Sequence, residues 1–93
     1  MARRPIELSL YKVLVDSGFK CVKRGIRKTD EIYSAVHRKY DHLCDDEFQC
    51  SHYHAEGNRQ PEWNHVVRQA LNRCKTTCEN IDYSKKLKFW IFV

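Results

Sequence analysis

The stretch Pro61-Glu-Trp-Asn-His-Val-Val-Arg-Gln-Ala-Leu-Asn-Arg-Cys-Lys75 decides the fold. Trp63, Val66 or Val67, Ala70, Leu71 and Cys74 recur at helical spacing and trace one apolar face. Asn64, His65, Arg68, Gln69, Asn72, Arg73 and Lys75 populate the remainder. Pro61 suits the first turn, where its missing N–H costs nothing. The helix should end near Thr76 to Cys78, since two threonines there weaken it. A hairpin follows. Asn80-Ile81-Asp82-Tyr83 reads as a short strand, Ser84-Lys85-Lys86 as the turn, and Leu87-Lys-Phe-Trp-Ile-Phe-Val93 as a strongly β-prone last strand.

Upstream, Ile6, Leu10, Val13 and Leu14 predict a helix from Ile6 to Asp16, with Pro5 in its first turn and Ser17-Gly18 at its end. Phe19, Cys21 and Val22 suit a short strand, and the segment from Lys20 to Lys28 carries five Lys/Arg and no acid. A second helix is expected from Asp30 to Tyr40, with Thr29 or Asp30 as N-cap and Ile32, Tyr33, Val36 and Tyr40 as its buried stripe. Asp45-Asp46-Glu47-Phe48 looks like the opening turn of a short helix, its acids at the N-terminus. Cys50 to Gln60 shows no period and reads as a loop.

Composition narrows the function. The chain has 93 residues, with 17 Lys+Arg against 12 Asp+Glu and a net charge of +5. Hydrophobic residues make up 42%, with only three glycines and two prolines, which excludes a disordered tail. No apolar run approaches the ~20 residues needed to cross a bilayer. The opening Met-Ala-Arg-Arg-Pro has no signal-peptide apolar region, and five cysteines are an odd number. Both point to reduced thiols and an intracellular location, nuclear in a eukaryote and cytoplasmic in a prokaryote. Small, basic domains are rich in nucleic-acid binders.

The expected fold class is therefore α+β, as one domain over residues 1–93, with three to four helices followed by a C-terminal two-stranded antiparallel hairpin. That order is the winged helix-turn-helix arrangement, in which one helix enters the major groove and the hairpin lies along the backbone. Trp63, Val67-Arg68, Ala70-Leu71, the Ser84-Lys85-Lys86 turn and Trp90 resemble the winged-helix domain at the N-terminus of Mrr-type restriction endonucleases. The Asp45-Asp46 segment resembles that family's short acidic helix start. The family's glycine after the third helix is replaced here by Thr76-Thr77-Cys78, and the catalytic half is missing. The resemblance thus implies a recognition module rather than a nuclease, with sensitivity to base sequence or modification.

For double-stranded DNA, the expected base contacts are Asn58, Arg59, Gln60, Asn64, His65, Arg68, Gln69 and Asn72, with Arg68 also suited to a phosphate. Phosphates would be held by Lys20, Lys23, Arg24, Arg27, Lys28, Arg73, Lys85, Lys86 and Lys88. Trp63 and Trp90 could stack a flipped base, but their places in an apolar helix face and a strand read as core.

Two other classes compete. A winged helix also serves as a protein–protein docking module in chromatin or transcription complexes, and a hydrophobic last strand can pair with a partner. A zinc-stabilised interaction domain would use Cys44, Cys50, His52 and His54, although this spacing contains no standard knuckle. Catalysis finds no glycine-rich phosphate loop and no nucleophile–base spacing, so no enzyme and no cofactor are expected.

Overall fold

The structure is a computed structural model that describes residues 4–49 and 60–93. Three α-helices, α1 (Pro5–Ser17), α2 (Thr29–Lys39) and α3 (Glu62–Thr77), pack against a three-stranded antiparallel sheet. The strands are β1 (Gly25–Arg27), β2 (Ile81–Ser84) and β3 (Phe89–Phe92), in the spatial order β1-β3-β2. The class is α+β, as expected, but the C-terminal hairpin is not a two-stranded ribbon. Gly25, Ile26 and Arg27 pair with Phe92, Ile91 and Trp90, so the basic segment supplies a third strand. That pairing satisfies the outer backbone groups of β3, which an isolated hairpin would leave open at its edge.

A second correction concerns Phe19 to Val22, which forms no strand. Gly18 (φ 63) and Phe19 (φ 58) are both left-handed. The Gly18 N–H donates to the Val15 carbonyl at 3.2 Å and the Phe19 N–H to that of Leu14 at 3.1 Å. This closes α1 in a Schellman motif. Phe19 is thereby turned into the core, with its ring 6.5 Å from that of Phe92. Burial of a whole aromatic ring offsets the strain of a left-handed non-glycine residue.

The third correction is to Asp45-Asp46-Glu47-Phe48, which is a turn and not a helix start. The only helical piece between α2 and α3, among the described residues, is a single 3₁₀ turn at Asp41–Leu43. The acids serve other partners. Arg4 makes two bonds to Glu7, at 2.8 and 2.7 Å, and one to Asp45 at 2.9 Å, while its guanidinium lies 3.7 Å from the centre of the Phe48 ring. Glu7 is fully buried on the apolar face of α1, which is tolerable because both its oxygens are bonded.

The core lies between the helices and the inner sheet face. Leu10 and Leu14 of α1, Ile32 and Val36 of α2, and Val66, Val67, Ala70, Leu71 and Cys74 of α3 meet Ile81, Trp90 and Phe92 of the sheet. Trp63 and Trp90 retain 6% and 7% of their exposure, in line with a core role. Among the described residues, no helix is long and apolar enough to cross a membrane.

Candidate nucleic-acid interface

The apolar face of α3 is buried, so its polar face is the outward one. Within that face the two ends differ. At the first turn, Trp63 is buried and donates its indole N–H to Asp46 at 2.8 Å. The other Asp46 oxygen lies 3.0 Å from His37 Nε2, and the His37 ring lies 5.4 Å from that of Trp63, tilted by 54°. The His37 and Trp63 bonds, in that order, hold the Asp46 carboxyl below its ordinary value, so an anion sits beside the first turn. Asn64 and His65 are only half exposed there. The side-chain oxygens of Gln60 and Asn64 are enclosed, with no hydrogen-bond partner among the described residues.

Further along, Arg68, Gln69, Asn72, Arg73 and Lys75 are exposed. Arg68, Asn72 and Lys75 line one hollow of about 240 Å³ with Tyr83 and Lys85, and Trp90 also borders it. Tyr83 and Trp90 form its aromatic wall, their rings 4.7 Å apart and tilted by 48°. Its lining contains three cations and no carboxylate. A larger hollow, about 460 Å³, lies between residues 21–27 and α2. There Lys23, Arg27 and Arg38 are offset by Asp30 and Glu31.

The expected phosphate contacts divide. Lys20, Lys23, Arg24 and Lys28 are exposed, as are Arg73, Lys85, Lys86 and Lys88. Among the described residues none of these is ion-paired. Arg27 is different. Its guanidinium donates to the carbonyls of Lys23 (3.2 Å), Arg24 (2.7 Å) and Ile26 (3.3 Å), and it lies 3.8 Å from Glu31. Arg27 therefore clamps its own loop. Gly25 suits the bend of this loop, because its φ of +121° is a conformation that L side chains rarely adopt. The turn after β2 spans Lys85 to Lys88 and is closed by the Lys88 N–H on the Ser84 carbonyl at 2.7 Å. Lys88 takes the left-handed conformation (φ 58) that this closure needs.

Asn58 and Arg59, and the zinc candidates Cys50, His52 and His54, lie outside the described residues. Cys44 is buried, and burial pushes its thiol up to about 12. Among the described residues, no group of three or more His, Cys, Asp or Glu is arranged to hold a metal ion.

The sequence reading passed over Lys75, Tyr83 and Thr29 as site residues, although all three border the α3 hollow. Lys75 was detectable, since Arg68, Asn72 and Lys75 follow the i, i+4, i+7 rule of one helix face. Tyr83 and Thr29 carried no signal, because their approach depends on how the sheet and α2 dock. No protein-family model, curated protein or solved structure matches the chain.

Proposed function

We propose that the chain is a winged-helix domain that binds double-stranded DNA, with α3 in the major groove and the β2–β3 turn and residues 20–28 along the phosphates. The element order α1-β1-α2-α3-β2-β3 and the sheet order β1-β3-β2 support the fold assignment. One departure is the connection from α2 to α3, which runs over residues 40–61 instead of a tight turn.

The observation that carries the functional reading is the division of charge. Asp45 and Asp46 are engaged by Arg4, His37 and Trp63, whereas the exposed lysines and arginines of 20–28, α3 and 85–88 are not ion-paired among the described residues. Such cations displace the counterions condensed on DNA phosphates, so affinity should fall steeply with salt. A duplex titrated at two salt concentrations tests this. Tight binding at low salt, with a steep loss at high salt, is the expected result. Absence of binding at low salt removes the reading.

A docking role is the second reading. Ile26 and Leu87 are 60% and 61% exposed, and Ile26 pairs with Ile91 across the outer sheet face. Absence of DNA binding would favour it.

A further inference from the structure

We propose that the hollow between α3 and the β2–β3 ribbon seats a backbone phosphate of duplex DNA, gripped by Arg68 and Lys75 from the helix and by Lys85 from the turn. The inference rests on the DNA-binding reading above. It also moves the main contact on α3 from the first turn to the middle and last turns.

Charge is the first reason. Arg68, Lys75 and Lys85 border one space of about 240 Å³ that no carboxylate lines. None of the three is ion-paired among the described residues. A concave surface lined by one sign of charge focuses its field on a counter-ion, and an oxyanion relieves the repulsion among the cations. By contrast, the larger hollow beside α2 holds both signs and gives an anion no such gain.

Geometry is the second reason. The cations come from two elements whose relation is fixed by packing: Leu71 of α3 and Trp90 of β3 are buried and border the same space. The Lys75 ammonium lies 6.0 Å from the Tyr83 ring centre, at the outer limit of a cation–π contact, so little holds it back from a ligand. A guanidinium can meet two phosphate oxygens at once, while each lysine supplies a point charge. Asn72 adds an amide on the same wall.

A polymer is favoured over a free phosphate ion because the cations continue past the hollow. Lys86 and Lys88 stand further along the same turn and are exposed. Successive phosphates of a strand need such a line, whereas a single ion needs only the hollow. The first turn of α3 is the poorer seat, with the ionised Asp46 beside it.

The test is an NMR titration of the isotope-labelled chain, which has two tryptophan indole N–H signals as reporters. A short duplex should shift the Trp90 signal and the amides near Lys75 and Lys85, and leave Trp63 nearly still. Lys75→Gln and Lys85→Gln should each weaken duplex binding about 3- to 10-fold and cut the slope of log affinity against log salt by about one. Lys12→Gln, on exposed α1 surface, should match the wild type. The two variants lie on different elements, so a local folding defect cannot explain both. Unchanged affinity and slope in both, with a wild type that binds duplex, would overturn the phosphate seat while leaving the DNA reading intact. A wild type that ignores duplex is then titrated with pyrophosphate. A saturable Trp90 shift that Lys75→Gln abolishes keeps an oxyanion seat and overturns its DNA source; no shift overturns both.

Discussion

The indole N–H of Trp63 is bonded to the Asp46 carboxylate at 2.8 Å, which ties the start of α3 to the segment that precedes it. Asp46 also meets His37 of α2 at 3.0 Å, and the chain on either side is joined again where the Glu62 N–H donates to the Phe48 carbonyl at 2.8 Å. Side chains and one backbone bond thus fix the α2–α3 relation that a tight turn would otherwise set.

Acid should loosen this arrangement. Asp45, through Arg4 first, and Asp46, through His37 first, both sit below the ordinary carboxylate value. A carboxylate with a depressed folded-state value adds stability that is present above its unfolded value, about pH 4, and is lost as pH falls through the folded value. Thermal melts from about pH 6 to pH 2 should show the loss in the acid half. Asp46→Asn should melt below the wild type at the upper end and approach it at the lower. Curves that stay parallel throughout would show that Asp46 contributes nothing through its charge.

Leu14→Ala should cost about 2–5 kcal/mol in denaturant unfolding, since Leu14 is fully buried between α1 and the core. Leu8→Ala on the same helix, at 52% exposure, should stay within about 0.5 kcal/mol. Equal losses would mean that α1 is rotated from the orientation described.

Gly18→Ala isolates the backbone cost of the α1 terminus. An added Cβ would meet only Cys78 Sγ, at 3.9 Å, so space is available. The left-handed φ remains, and an L side chain there should cost about 1–2 kcal/mol. A stability equal to the wild type would refute the Schellman closure.

The buried thiols should be inert while the chain is folded. Burial pushes Cys44 up to about 12, and burial followed by the Cys78 bond does the same to Cys74. Thiolate is the reactive form, so iodoacetamide at about pH 8 should spare both in the native chain and modify both in urea. Peptide mass mapping reads the result; native-state labelling of Cys74 at the unfolded rate would contradict the packing of α3.

Base reading should follow exposure along α3. Gln69→Ala, on exposed α3 surface outside the phosphate seat, should flatten sequence preference, by about 1–3 kcal/mol at the base it contacts, while Asn64→Ala should alter it little. Lys86→Ala should weaken all duplexes alike and lower the salt slope by about one. A preference lost through Asn64 instead would return the reading edge to the first turn.

Local pattern accounts for what was legible. Trp63, Val66, Val67, Ala70, Leu71 and Cys74 are all buried as helical spacing requires, and β3 lies within the β-prone run 87–93, but only as Phe89–Phe92: Ser84 joins β2, and Leu87 and Lys88 go to the turn, where the Lys88 N–H closes on the Ser84 carbonyl. What stayed hidden depends on partners distant in sequence. β1 is three residues long, with Gly25 and Ile26 exposed, so neither alternation nor hydrophobicity marks it. It becomes a strand because β3 offers an edge. Glu7 gave no sign of burial, because its acceptance into the core depends on Arg4, at the N-cap of α1, reaching forward along the first turn. The acids at 45–47 suggested a helix start by charge alone; Arg4 and His37, far off in sequence, claimed them instead. For the site, the cations were visible individually, and their convergence on one hollow was not.

The spatial order β1-β3-β2 also sets a timetable. The middle strand is the one synthesised last, so neither β1 nor β2 has a neighbour until Phe89–Phe92 is made. A chain cut after Lys88 keeps the sequence of all three helices but leaves β1 and β2 as orphan strands, whose open edges invite pairing with other chains. Loss of Phe89–Phe92 would then do more harm than its length suggests: it removes the seam that joins β1 to β2.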